Sequence, residues 1–374
     1  MTSRPTIADV ARRAGVSKGA VSFALNDRGG VSSETRARIL DAAEELGWRP
    51  SRVARSLSVS RAFTVGLVVA RAAELLGADP FFPSFIAGVE SVLAPAGHSL
   101  LLQVVPSAEA EEAGYRTLAA EGRVDGVFLS DLRAEDHRIA VLSELGLCAV
   151  TLNRPDIASP FPAVCVDDRQ GVRQAVEHLL DLGHVRIGYV CGPLQFVHSR
   201  HRRDAWAAAL QAAGVDEGPL VVADFTAAGG AAATGRLLDL DAAPTAIVYA
   251  NDVMAIAGLG VAAKRGLRVP RDLSVVGFDG TELAAHLHPP LTTVSTDPFG
   301  WGQVAALTLL RATDPATRGD HIGDVELPPA QLQLGGSTAK PYRRRSVARA
   351  PAIPTTRPES PPLPEQPERQ GAER

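Results

Sequence analysis

Thr6-Ile7-Ala8-Asp9-Val10-Ala11-Arg12-Arg13-Ala14-Gly15-Val16-Ser17-Lys18-Gly19-Ala20-Val21-Ser22-Phe23-Ala24-Leu25 decides what kind of molecule this is. Thr6 stands three residues before Asp9, as in a capping box, and Ile7, Val10, Ala11 and Ala14 recur at i, i+3, i+4 and i+7. Gly15 ends that helix. Ser17 is a good N-cap for a second helix, with Ala20, Val21, Ala24 and Leu25 facing inward. Asn26 to Gly30 forms a loop, and Ser32 or Ser33 starts a third helix with Ile39, Ala42, Ala43 and Leu46 on one face, stopped by Gly47. Two short helices around a glycine turn, with a third packed across them, predict an all-α helix-turn-helix head that binds DNA.

Beyond Phe63 the rhythm changes. Apolar, β-rich runs at Phe63–Ala70, Leu100–Val105, Gly126–Leu129, Ala149–Leu152 and Ala163–Val166 alternate with helical stretches. A second set follows at Ile187–Cys191, Leu220–Ala223, Ala246–Ala250, Ser274–Phe278 and Thr292–Thr296. Strands that are apolar throughout, separated by amphipathic helices, predict parallel sheets covered on both faces. Two such sets predict an α/β body of two doubly wound lobes, with ligands at the carboxyl ends of the strands. After Thr338 the pattern stops; the Pro-, Arg- and Glu-rich segment is expected to be a disordered tail.

Charge divides the chain the same way. Residues 1–61 carry 11 Lys/Arg against 6 Asp/Glu, residues 62–338 carry 19 against 32, and residues 339–374 carry 8 against 4. A basic N-terminal unit on an acidic body is the footprint of a nucleic-acid-binding module joined to something else. No window is apolar enough for a membrane span and the N-terminus lacks a signal-peptide core, so a cytoplasmic protein is expected. Cys148, Cys165 and Cys191 have no metal-ligand spacing, and neither a metal nor another cofactor is expected.

With these residues in view, the chain resembles the lactose-repressor (LacI/GalR) family of transcriptional regulators. The resemblance rests on Thr6 to Ala11, Ala14-Gly15-Val16-Ser17, Val21-Ser22, Leu25-Asn26, Val31-Ser32 and Thr35-Arg36, and on the hinge-like Leu46 to Pro50 and Ala54-Arg55-Ser56-Leu57. It continues through Pro80-Phe81-Phe82, Val166-Asp167-Asp168, Asn251-Asp252, Val276 to Asp279 and Pro290 to Val294. It covers about residues 5–338 in matching order and spacing. The implied organisation is a head over residues 1–50, a hinge helix or linker over 51–61, a two-lobed effector-binding and dimerisation domain over 62–338, resembling periplasmic sugar-binding proteins, and a tail over 339–374.

The resemblance places Lys18, Gly19 and Phe23 where side chains read bases in the major groove. Lysine can donate to guanine, whereas Phe23 can make only apolar contact, for instance with a thymine methyl; packing of Phe23 beneath the third helix is the alternative. Ser17, Ser22 and Thr35 fit phosphate contacts, and Thr6, Asn26, Arg52 and Ala54 join the DNA-binding set by the same carry-over. Leu57 matches a leucine that wedges into the minor groove; a linker residue resting on the body is the alternative. Phe81, Asn153, Arg202, Phe225, Asn251 and Asp279 fall where relatives contact an effector. Carboxylates and amides suit hydroxyl groups, a guanidinium donates, and an aromatic ring covers a sugar face. Against that, Arg202 and Asp279 can pair with each other, and Phe225 can be core.

The implied function is a repressor, not an enzyme, that binds operator DNA as a homodimer and is switched by a small molecule, a sugar in the first instance. A purine corepressor would suit the same aromatic ring and Arg/Asp pair. A sugar-binding protein or enzyme on the same lobes is the remaining alternative. Gly258 to Ala263 fits GxGxxA but falls inside a helix rather than on the turn after a strand, and His178 and His184 lack metal spacing.

Overall fold

The computed structural model describes residues 5–25, 29–48, 61–71, 76–77, 79–317 and 320–342. Asn26, Arg52, Ala54, Leu57 and nearly all of the expected hinge and tail therefore lie outside the described residues.

Three helices form the head: α1 (Ile7–Ala14), α2 (Lys18–Leu25) and α3 (Ser33–Glu45). Thr6 donates both its backbone N–H and its hydroxyl to Asp9, at 2.9 and 2.7 Å, which fixes the start of α1. Gly15 closes that helix at φ 66°, a left-handed conformation that costs glycine no Cβ clash. Ser17 Oγ accepts from Ala20 N, and Ser32 rather than Ser33 caps α3 by accepting from Thr35 N. Val10, Ala14, Val21, Ala24, Ile39 and Ala43 share one small core. Two arginines of α3 clamp it: Arg36 donates to the Ala24 carbonyl at 3.0 Å and Arg38 to the Ala14 carbonyl at 3.1 Å. Each places a cation at a helix C-terminus, where the helix dipole and the last carbonyls favour it.

The body comprises two six-stranded sheets. The first contains β1 (Thr64–Ala70), β2 (Ser99–Val105), β3 (Gly126–Leu129), β4 (Cys148–Leu152), β5 (Ala163–Cys165) and β11 (Val325–Glu326), in the order β11-β5-β4-β3-β1-β2 and parallel throughout. The second contains β6 (Ile187–Cys191), β7 (Leu220–Val222), β8 (Ala246–Tyr249), β9 (Ser274–Asp279), β10 (Thr292–Ser295) and β12 (Gln331–Gln333), in the order β12-β10-β9-β8-β6-β7. Among the described strands only β12 pairs antiparallel, with β10. The inner strands are buried along their length, as helices on both faces require.

All ten apolar runs read from the sequence are strands. The structure adds β11 and β12, two- and three-residue edge strands whose polar composition gives no apolar run to recognise. It also shows that the two lobes are not simply consecutive. After β10 the chain returns to the first lobe as α12 (Pro298–Ala312), reached after α4 (Phe81–Leu93), α5 (Ala108–Ala120), α6 (Arg138–Glu144), α7 (Asp168–Asp181), α8 (Val197–Ala212), α9 (Ala227–Leu238), α10 (Asp252–Lys264) and α11 (Glu282–Ala285). Trp301, Ala305 and Leu309 of α12 lie in the same core as Val65, Phe85 and Phe128, and Trp301 Nε1 donates to the Val164 carbonyl at 3.0 Å. Helices α4 and α12 approach so closely that a Cβ on Gly88 would sit 2.0 Å from the Phe299 carbonyl oxygen. The chain therefore crosses between lobes three times, after β5, β10 and β11. Among the described residues no helix is long and apolar enough to cross a membrane.

His178 and His184 pack, as their spacing implies: His178 Nε2 meets the Thr338 hydroxyl, and His184 bonds Thr245 and the Ala339 carbonyl. Gly258 lies inside α10 against the Tyr249 ring, not on a phosphate-binding turn.

Candidate functional site

The carboxyl ends of the strands from both lobes face one cavity of about 90 Å³. Arg71 follows β1, Asp131 follows β3, Asn153 follows β4, Asn251 follows β8, and Asp279 ends β9. Helix α8 adds His198, His201 and Arg202, one face at i, i+3 and i+4. All six body residues singled out in the sequence, Phe81, Asn153, Arg202, Phe225, Asn251 and Asp279, line this cavity. Four lining residues hold positive φ: Asp131 (49°), Asn153 (74°), Phe225 (67°) and Asp279 (119°). Such conformations are uncommon outside glycine and cluster where backbone is bent to aim a side chain.

The six do different things. Arg202 donates Nε to Asp168 at 2.7 Å and Nη1 to the Ala250 carbonyl at 3.0 Å, with its guanidinium 3.6 Å from the Phe278 ring centre. The Arg202–Asp279 ion pair allowed by the sequence is thus replaced by an Arg202–Asp168 pair. Asp279 Oδ2 is buried with no hydrogen-bond partner among the described residues. Burial, then the neighbouring Asp252 and Asp79, push the Asp279 carboxyl well above the usual carboxylate range, with Arg202 opposing. Asn153 Oδ1 accepts from Val166 N at 2.8 Å, which ties the end of β4 to the first crossing. Asn251 is the N-cap of α10: its Oδ1 accepts from Met254 N, and its Nδ2 donates to the Phe225 carbonyl at 3.0 Å. Both of its polar groups are therefore committed to the protein. Phe225 both lines the cavity and packs in the second-lobe core, its ring lying where a Cβ on Gly192 would be, so the two sequence readings hold together. Phe81 stacks on Phe85 and meets Trp301 edge-on.

Sequence reasoning missed the ion cluster beside them. Arg71 donates Nε and Nη2 to the two oxygens of Asp131, at 2.6 and 2.7 Å, and Nη1 to Asp79 at 2.7 Å. Its guanidinium also stands 5.6 Å from the Phe225 ring centre and 5.7 Å from that of Phe196. Arg71 and Asp79 border the segment between β1 and α4, and no local pattern there pairs them. His198 stacks between the Phe196 and Phe225 rings; burial, and next Arg202, push it down to about 3. The lobes also meet by main chain: Val197 N donates to the Leu132 carbonyl at 2.8 Å. No group of three or more His, Cys, Asp or Glu among the described residues is placed to hold a metal.

On the head, α2 buries Val21 and Ala24 and turns Lys18, Gly19 and Phe23 outward. Phe23 is 43 % exposed, so it does not pack beneath α3. Thr6 and Ser17 are exposed, and Ser22 and Thr35 are half-buried.

Residues 6–51 match the model for bacterial regulatory proteins of the lacI family, and residues 176–338 match that for periplasmic binding protein-like domains. The HTH-type transcriptional regulator CelR of Thermobifida fusca is 37 % identical over 320 residues, covering 84 % of this chain and 94 % of that one. A solved complex of a transcriptional regulator CelR with cellobiose is 33 % identical, with TM-score 0.68, covering 89 % of this chain and all of that one. The lac repressor dimer bound to operator and an anti-inducer is 31 % identical, with TM-score 0.78, over 90 % of this chain and 99 % of that one. With a helix-turn-helix head, a two-lobed body and full-length relatives of this identity, the chain belongs to the lacI family of bacterial transcriptional regulators.

Proposed function

We propose that the protein is a cytoplasmic, homodimeric repressor whose grip on a pseudo-palindromic operator is switched by a sugar bound between the lobes. The observation that carries this reading is the cavity itself. Polar and aromatic side chains from both lobes converge on it, so its occupant would bias how the lobes sit, and that is what couples a ligand to the heads. Cellobiose, the ligand of the CelR complex, is the first sugar to test. Phe81, Arg202, Phe225 and Asp279 would contact it, with Asn153 and Asn251 holding the walls.

On DNA, Lys18, Gly19 and Phe23 would meet base edges. Thr6, Ser17, Ser22, Asn26, Thr35, Arg52 and Ala54 would set register through the backbone, and Leu57 would wedge the minor groove. The division into a head (1–50), hinge (51–61), body (62–338) and tail (339–374) belongs to the same reading. The test selects duplexes from a random pool with the full-length protein, then measures retention on the enriched site with and without each sugar. Enrichment of a two-fold site, a sugar-dependent change in retention, and loss of more than tenfold in affinity on Leu57→Ala are expected. A sugar that stabilises the protein yet leaves retention unchanged would refute the switch.

A further inference from the structure

The cavity carries more acid than base. Among the described residues Asp79, Asp131, Asp168 and Asp279 line it against only Arg71 and Arg202, and both guanidiniums are already engaged. Arg71 is shared between two carboxyl groups, Asp79 and Asp131, so that cluster has more acid than base. Arg202 is paired with Asp168 and covered on one face by the Phe278 ring. The two histidines in the lining add no positive charge, since burial drives both His198 and His201 down. Burial raises the Asp79 carboxyl as it does Asp279, with Arg71 and Arg202 opposing, so the lining holds four carboxyl groups against two guanidiniums, each of which already has a carboxylate partner.

Two acceptors in this lining are orphaned. Asp168 is 6 % exposed, and its Oδ1, like Asp279 Oδ2, is buried without a hydrogen-bond partner among the described residues. A buried acceptor without a donor is costly, and a ligand that supplies O–H or N–H groups relieves it. Phosphate does the reverse. It brings negative charge and acceptors alone, and needs a guanidinium with charge and a fork to spare.

We propose that the Arg71–Asp79–Asp131 cluster is a charge filter that reserves this cavity for uncharged, hydroxyl-rich ligands and closes it to phosphorylated sugars and nucleotides. The proposal rests on the reading of the cavity as the effector site. The filter acts by occupying Arg71 rather than by narrowing the cavity: both Asp131 oxygens and one Asp79 oxygen take three of the guanidinium's five N–H groups, one on each nitrogen, so an entering anion meets carboxylates first. Neutralising one carboxylate while keeping its shape should release the arginine. Asp131→Asn does this with least disturbance, because asparagine tolerates the positive φ of 49° found there.

The experiment follows melting temperature in the full-length protein at matched ionic strength, with inorganic sulfate, glucose 6-phosphate and cellobiose as probes. The wild type should ignore sulfate and glucose 6-phosphate. Asp131→Asn should gain several degrees with sulfate, saturably, and adding Arg71→Met to it should abolish the gain. Asp79→Asn should behave in the same way and substitutes if Asp131→Asn fails to fold. Saturable stabilisation of the wild type by sulfate or glucose 6-phosphate, lost on Arg71→Met, would overturn the filter. So would folded Asp131→Asn and Asp79→Asn proteins that stay indifferent to sulfate. Failure of cellobiose and every other neutral sugar to stabilise the wild type would count against the sugar reading, while the sulfate arms still decide the filter.

Discussion

Asn251→Ala separates a wall residue from a ligand contact. Asn251 is 5 % exposed, and the two ends of its amide make two hydrogen bonds: Oδ1 caps α10 by accepting from Met254 N, 2.9 Å away, and Nδ2 donates to the Phe225 carbonyl at 3.0 Å. Removing an N-cap costs about 1 kcal/mol. Leaving a buried carbonyl without its donor costs about 1–3 kcal/mol more, and the carbonyl belongs to Phe225, which is 8 % exposed and already held at φ 67°. The sum is about 2–4 kcal/mol, or a fall in melting temperature of roughly 5–10 °C for a body of this size. Asn251→Ser keeps the cap and loses the Phe225 bond, so it should fall between about half and three quarters as far. Differential scanning calorimetry without ligand reads both. A ligand-free Asn251→Ala protein that melts within a degree of wild type, yet has lost its response to an effector, would show that the amide serves the ligand and that this account of the Phe225 wall is wrong.

Two further outcomes follow from the buried charges. Arg202→Ala strands Asp168 without its counter-ion, which costs ~2–5 kcal/mol for a buried pair, and should abolish any effector-induced change in operator retention. Arg202→Met with Asp168→Asn should recover much of the melting temperature in calorimetry but none of the effector response. His198 is held down to about 3, against about 6.5 in an unfolded chain, because burial and Arg202, with Arg71 and His201, outweigh the pull of Asp131. Its contribution to stability is therefore complete above pH 6.5 and is lost as pH falls towards 3, where the unfolded chain takes up a proton that the native histidine refuses. Between pH 6.5 and 5 this amounts to at most about 2 kcal/mol, and a His198→Gln protein should show a correspondingly flatter dependence of melting temperature on pH.

What the sequence determined by itself is everything carried by neighbours in the chain. Thr6 and Asp9, Ser17, and the stripe from Ile7 to Ala14 fix the head helices because capping and helical periodicity act within four residues. Continuous apolar runs mark ten strands, most clearly the inner ones, because a strand buried on both faces has no polar side to show; β2 and β7, at the sheet edges, are apolar yet partly exposed. Family order and spacing brought six cavity residues to notice, and all six line it. What each of them bonds to was decided only by tertiary structure. Arg71 and Asp131 are 60 residues apart, Arg202 and Asp168 are 34 apart, and Trp301 and Val164 are 137 apart. Pairing at such distances depends on which strand ends converge and on α12 returning to the first lobe, and no local pattern encodes either. The same holds for burial: Phe23 and Phe225 are one residue type, but only packing sets the first outward on the head and locks the second over Gly192 in the cavity wall.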